Sequence, residues 1–184
     1  MKIILSTPQE IQKQIWIELG RATQDRHHAW RTPVIATVGA DSAPSARTIV
    51  LRDADRSLNE LRFYTDSRSV KVSDLTFQPR ATLVFWSKRL NWQLRVKVLI
   101  TIHTTGHVVD SLWDQVSQSP AAADYLSVRA PGTRLSEPIT CLFPDKHHLA
   151  VMSSAVQEID WLELARGGHR RARISSSAWE WLVP

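Results

Sequence analysis

The stretch from Trp92 to Thr104 restricts the fold more than any other part of the chain. It is long, dense in β-branched residues and free of glycine and proline, so it predicts an extended strand rather than a helix. A strand of that length needs partners on both sides, and the flanking sequence offers them. Ala81 to Trp86 predicts the strand before it, and Lys88-Arg89-Leu90-Asn91 the hairpin loop between the two. Further strands are expected at Val34 to Val38, Arg47 to Arg52, Leu61 to Thr65, Ile139 to Phe143, His148 to Ser153, Ala155 to Glu163, Arg170 to Ser175 and Trp179 to Leu182. Gly39 to Pro44 and Asp53 to Asn59 carry turn chemistry. Residues 8 to 26 predict an amphipathic helix, with Thr7 as cap, Pro8 in the first turn, and Ile11, Ile15 and Leu19 at helical spacing. Shorter helices are expected at Ser69 to Phe77, Val108 to Ser117 and Ala121 to Val128. Many short strands with few interrupting helices predict an α+β, mainly β, barrel.

A length of 184 residues favours one domain with a real core, residues 1–30 forming an N-terminal helical arm and 31–184 the barrel. No apolar run reaches the roughly 18 residues of a membrane span, and the apolar start is too short for a signal peptide, so a cytoplasmic location is expected. The single cysteine, Cys141, excludes an internal disulfide and sits in an apolar run as a small hydrophobe. Seven histidines include the pairs His27-His28 and His147-His148, which do not match zinc-ligand spacing, and no metal is expected. Eight tryptophans are expected to fill the core or an interface. Trp161 is also weighed as a ring that stacks on a bound cofactor.

The net charge is +5, and arginine supplies most of it, since only six residues are lysine. Arginine presents a planar fork that suits phosphate. The basic residues are spread out, apart from Arg166 to Arg173, which favours defined anion sites over a nucleic-acid surface. A nucleic-acid-binding barrel remains the least favoured alternative.

Two segments carry the chemistry. In Arg47-Thr48-Ile49-Val50-Leu51-Arg52, strand alternation puts Arg47 on one face with Ile49 and Leu51. An arginine among large aliphatics either has an anionic partner or, as the simpler reading of this segment alone, sits on an edge strand and reaches solvent. In Phe63-Tyr64-Thr65-Asp66-Ser67-Arg68-Ser69-Val70-Lys71, a strand gives way to a helix capped by Ser69. Lys71 then falls in the first helical turn, where a cation opposes the helix dipole. A phosphate at that N-terminus resolves the conflict.

These segments resemble the FMN-binding signature of the pyridoxamine 5'-phosphate oxidase family: an Arg-x-x-x-Leu strand, then Tyr-Thr, then Ser-x-Lys opening a helix. The likeness continues through Asp74-Leu75, Pro79, the strand Ala81 to Trp86, Gln93 and Arg95, and Arg171-Ala172-Arg173 to the closing Trp179 to Pro184. The resemblance implies an FMN-binding split barrel, a homodimer with FMN at its interface, and an FMN-dependent oxidoreductase acting on a small molecule. It implies that Arg47, Ser69 and Lys71 hold the FMN phosphate. Thr48, Ile49, Val50 and Leu51 would lie along the cofactor, Tyr64 and Thr65 would line flavin and ribityl chain, and Gln93 would reach the flavin from the partner subunit. Arg52 and Arg173 would stand near the ring as electrostatic and substrate-orienting groups. The chain departs from the oxidases in three places. Val70 replaces a phosphate-binding arginine, for which Arg68 is the expected substitute. His169 to Arg173 lacks the usual His placement. Tyr125 and Arg129 are the nearest counterparts of the groups that grip a substrate phosphate. An FMN protein without vitamin B6 oxidase activity, serving as another reductase, a carrier or a sensor, is therefore the main alternative.

Overall fold

The computed structural model describes residues 7–135, 146–175 and 178–184. Helix α1 (Pro8–Gln24) begins as the sequence predicts. Thr7 accepts from the Glu10 amide, the Glu10 side chain returns the bond to the Thr7 amide, and Pro8 stands in the first turn. Its buried face carries Ile11, Ile15, Leu19 and Ala22. The helix stops two residues before the expected end. Asp25 is extended, and its carboxylate accepts from the His27 amide instead.

Nine strands follow: β1 (Val34–Val38), β2 (Pro44–Thr48), β3 (Leu51–Asp55), β4 (Glu60–Asp66), β5 (Arg80–Ser87), β6 (Trp92–His103), β7 (Leu149–Glu163), β8 (Arg170–Ser175) and β9 (Trp179–Leu182). All described pairings are antiparallel, in the order β2-β1-β5-β6-β7-β4-β3. Strand β7 is the branch point. One edge pairs along its length with β6. On the other edge, Leu149 to Ala155 pairs with β4 and Glu158 to Glu163 with β8. That fork splits the barrel wall, which is the geometry a split barrel requires.

The alternation in β6 shows how sequence fixes the wall. Trp92, Leu94, Val96, Val98 and Ile100 point into the core, while Arg95, Lys97, Leu99 and Thr101 point out. Trp30, Phe85, Trp92 and Trp161 meet edge to face or tilted inside, with Trp92 and Trp161 centroids 5.3 Å apart. Trp161 is fully buried, so it is a core ring and not a stacking partner for a ligand.

Three expectations need correction. The strand expected over Arg47 to Arg52 is two strands, because β2 pairs with β1 and β3 pairs with β4. Ile49 and Leu51 bridge the break by donating to the carbonyls of Pro33 and Arg31. The strands expected at His148 to Ser153 and Ala155 to Glu163 are one continuous β7. The helix expected at Ala121 to Val128 is a short 3-10 turn, Pro120–Tyr125. Helices α2 (Val70–Phe77) and α3 (His107–Val116) stand where expected. The expected strand at Ile139 to Phe143, with Cys141, lies outside the described residues. No described helix is long and apolar enough to cross a membrane.

Candidate functional site

The end of β4 and the start of α2 bring three predicted residues together. Lys71 donates to the hydroxyls of Thr65 at 3.0 Å and Ser69 at 3.1 Å, which contact each other at 3.2 Å. Thr65 and Ser69 are buried. Ser69 is the N-cap residue, but its hydroxyl makes no capping bond and is turned to Lys71. The first turn of α2 contains no acidic residue. Burial, and then the nearby Arg47 guanidinium, hold the Lys71 ammonium below the ordinary lysine range.

Arg47 reaches the same corner from β2. One nitrogen donates to the Thr37 hydroxyl at 2.5 Å, which donates in turn to Asp74 at 2.7 Å. The other donates to Asp74 at 3.2 Å and to the Ser45 hydroxyl at 2.9 Å. Arg47 thus has an anionic partner, Asp74, three residues beyond Lys71 and on the same face of α2. Lys71 makes no ion pair among the described residues: its hydrogen bonds go to neutral hydroxyls, and Asp66 and Asp74 attract it only at longer range.

Arg68 does not stand in for the missing arginine at position 70. Its guanidinium grips Asp66 through both carboxylate oxygens at 3.1 and 2.7 Å, and donates to the carbonyls of Ser127, Val128 and Arg129. It fastens the 127–129 segment, and Val70 is exposed.

Arg52 and Tyr64 form a second group. The β3–β4 register shifts between Leu51 and Asp53, leaving Arg52 on a bulge. A bulge re-aims the side chain that it carries. The Arg52 guanidinium lies 5.6 Å from the Tyr64 ring centre and meets the Tyr125 hydroxyl. Burial pushes both tyrosines up, with Arg52 acting against it. The Arg52 Nε is buried without a hydrogen-bond partner. Arg129 is exposed, and its described hydrogen bonds, to Arg68 and Ser127, are made by its backbone. Along the connecting run, Thr48 is exposed, Val50 half-buried, and Ile49 and Leu51 are core residues.

Gln93 and Arg173 stand apart from both groups. Gln93 lies on β6 opposite Trp86 and Leu162. Arg173 lies on β8 opposite Asp160 and contacts Glu158 and Glu180. Both occupy the outer face of the wall, and within one chain no described contact joins them to Arg47 or Lys71. The neighbouring arginines are paired as well: Arg95 and Arg171 share Asp160, and Arg170 holds Glu163.

Sequence reasoning missed Thr37, Asp74 as partner of Arg47, and the Arg52 bulge. Thr37 was detectable as a polar residue at an inward position of β1, in phase with Ile35. Asp74 was detectable at i+3 from Lys71. Nothing in the sequence marks the bulge.

The donor set at the end of β4 fits a phosphate. It comprises an ammonium without a carboxylate, two hydroxyls beside it, a second cation and a helix N-terminus. Comparison with known proteins identifies the family and the fold. The family model described as pyridoxamine 5'-phosphate oxidase, FMN-binding domain, matches residues 13–104. A pyridoxine/pyridoxamine 5'-phosphate oxidase from Acaryochloris marina is 39% identical over 87 residues, 47% of this chain and 38% of that protein. One from Nostoc punctiforme is 34% identical over 101 residues, 55% of this chain and 40% of that protein. The match therefore spans well under half the length of these curated relatives. Among solved structures, an oxidase-related FMN-binding protein from Nostoc punctiforme superposes with a TM-score of 0.72 at 22% identity, over 98% of this chain and 100% of that one. PhzG from Burkholderia lata superposes with a TM-score of 0.71 at 19% identity, over 98% and 94%. These two likenesses speak to the fold.

Proposed function

Since the chain belongs to the pyridoxamine 5'-phosphate oxidase FMN-binding family, we propose that it is an FMN-dependent oxidoreductase that holds the FMN phosphate between Lys71, Ser69, Thr65 and Arg47. The observation that carries this reading is the state of Lys71. A half-buried ammonium bonded only to two hydroxyls at a helix N-terminus is costly alone and favourable beneath an anion. Arg47 adds a second charge, kept in place by Thr37 and Asp74.

Bound there, FMN supplies the redox chemistry. The chain supplies binding, orientation and charge. Thr48 to Leu51 form the backbone crossing from β2 to β3 beside the site. Arg52, held by the Tyr64 ring and the Tyr125 hydroxyl, contributes a fixed positive charge. Gln93 and Arg173 complete the site only from a second copy, so the active form in this reading is a homodimer. Exposed Trp86 and Leu99, at 45% and 43%, lie on the same outer face as Gln93 and support that assembly. A working oxidoreductase makes a direct test possible. Under anaerobic conditions a substrate bleaches the visible flavin absorption of the reconstituted protein, and admission of air restores it. Failure of pyridoxamine phosphate, pyridoxine phosphate and reduced nicotinamides to bleach a retained flavin that dithionite does bleach would reduce the protein to a carrier or sensor.

A further inference from the structure

A guanidinium presents five N–H donors, and a phosphate takes it best as a fork, through two nitrogens at once. In Arg47 both terminal nitrogens are fully engaged. One donates to the Thr37 hydroxyl at 2.5 Å and the Ser45 carbonyl at 3.2 Å. The other donates to the Ser45 hydroxyl at 2.9 Å and to Asp74 at 3.2 Å. A phosphate that grips Arg47 by its fork must therefore displace an acceptor. Among these acceptors only Asp74 carries a negative charge, so it is the rival of an incoming anion.

The surroundings decide which partner yields. Asp74 is buried and accepts from the buried Thr37 hydroxyl at 2.7 Å. Its second oxygen faces the backbone of Gly39, where an added β-carbon would stand only 3.2 Å away. That carboxylate is confined. Arg47 is half-buried on β2, an exposed strand that pairs only with β1. The arginine is the partner free to turn. Asp66, the other carboxylate near Lys71, is held by Arg68 through both oxygens and does not compete for Arg47. A carboxylate fixed beside its cation acts at a high effective concentration. An anion that brings charge alone competes poorly against it. A phosphate attached to a larger body brings further contacts that offset the displacement.

We propose that Asp74 is a specificity-determining residue of this corner: it competes with phosphate for Arg47, so that the site admits a phosphate carried by a flavin and refuses inorganic phosphate. The proposal rests on the flavin reading above and assigns Asp74 a role opposite in sign to that of a simple support.

Asp74→Asn keeps an acceptor oxygen and removes the charge. FMN and riboflavin, which lacks the phosphate, are titrated into parent and variant by flavin fluorescence, with and without excess inorganic phosphate at matched ionic strength. The variant is expected to bind FMN at least about tenfold tighter than the parent, the scale of a like-charge contact removed. Riboflavin affinity stays the same. Inorganic phosphate competes with FMN in the variant and not in the parent. The variant also melts lower, because Arg47 has lost its counter-charge. A residue that only held the corner together would lower FMN affinity along with stability. Unchanged or weaker FMN binding by the variant, or a riboflavin affinity that rises as much as that of FMN, would overturn the proposal. If the variant does not fold, the parent decides alone: competition by inorganic phosphate overturns the proposal, and its absence upholds it. A parent that binds FMN no tighter than riboflavin sinks the phosphate site itself. A parent that prefers FMN, with no gain in the variant, leaves the phosphate site standing and removes only the role of Asp74.

Discussion

Lys71 concentrates the argument in one side chain. The sequence exposed it, because a lysine in the first turn of a helix works against the dipole and needs a reason. The structure sharpened the reason by giving Arg47 a carboxylate and Lys71 none. Lys71→Met should therefore act in opposite directions on binding and on stability. FMN affinity is expected to fall tenfold or more, from the ~1.5–3 kcal/mol of a hydrogen bond to a charged group. The FMN-free protein is expected to melt higher than the parent, because a desolvated charge has gone. Flavin fluorescence titration and a thermal melt check the two halves; a lower melting temperature would show that Lys71 is structural. A pH dependence follows from its lowered proton affinity. Between its folded pKa and the ordinary lysine value the native state binds fewer protons than the unfolded chain. The FMN-free protein thus gains stability as pH rises through that window, while FMN binding weakens because the ammonium is lost. Titrating FMN from neutral to alkaline pH with Lys71→Arg as control tests this: the parent should lose affinity before the arginine variant does. Arg68 shows the limit of reading single residues. Its position two residues before Val70 suggested a substitute, but Asp66 and three carbonyls hold it elsewhere, and those partners lie up to 61 positions away in sequence.

Elements were legible where periodicity was strong and less so where pairing decided. Helices α1, α2 and α3 and strands β4, β5, β6, β8 and β9 fall within a residue or two of their expected bounds, because caps and apolar spacing are local. The division between β2 and β3 was not legible, since both halves are extended and only the change of partner from β1 to β4 separates them. The Arg52 bulge was hidden for the same reason. Two side-chain knots hold the elements around the site, and each carries a prediction. Asp74 ties α2 to β1 and β2 through Thr37 and Arg47. Asp74→Ala is expected to cost about 2 kcal/mol, or roughly 4–8 °C in melting temperature for a chain of this size, because it leaves a half-buried arginine unpaired. An unchanged melt would show that the knot is incidental. Glu18, buried on α1, collects Gln14, Arg21, His28 and Arg89 of the β5–β6 hairpin. Burial opposes its charge, but those partners together hold its carboxyl below the ordinary glutamate range. The stability it contributes is full above that range and is lost as pH falls through the depressed value. Glu18→Gln should flatten the acid limb of a stability-against-pH curve, and an unaltered limb would assign acid unfolding to other groups.

At the scale of the whole molecule, the split barrel was legible as a class and not as a topology. The fork at β7 depends on one strand serving β4 and β8 in succession, a pairing that no local pattern encodes. The same scale explains why two predicted residues, Gln93 and Arg173, lie away from the phosphate corner within one chain. In the proposed homodimer they belong to the partner's site. Replacing Trp86 and Leu99 together by glutamate is expected to shift the light-scattering mass from dimer to monomer and to lower FMN retention with it. A dimer that persists with both charges present would place the interface elsewhere. The central claim is that this barrel holds FMN through the Lys71 corner. The most direct measurement is the visible absorption spectrum of purified protein mixed with excess FMN and then desalted, with Lys71→Met treated in parallel. The account predicts flavin bands retained by the parent at close to one FMN per chain and lost from the variant. A parent that emerges colourless, or a variant that keeps its flavin, would contradict it.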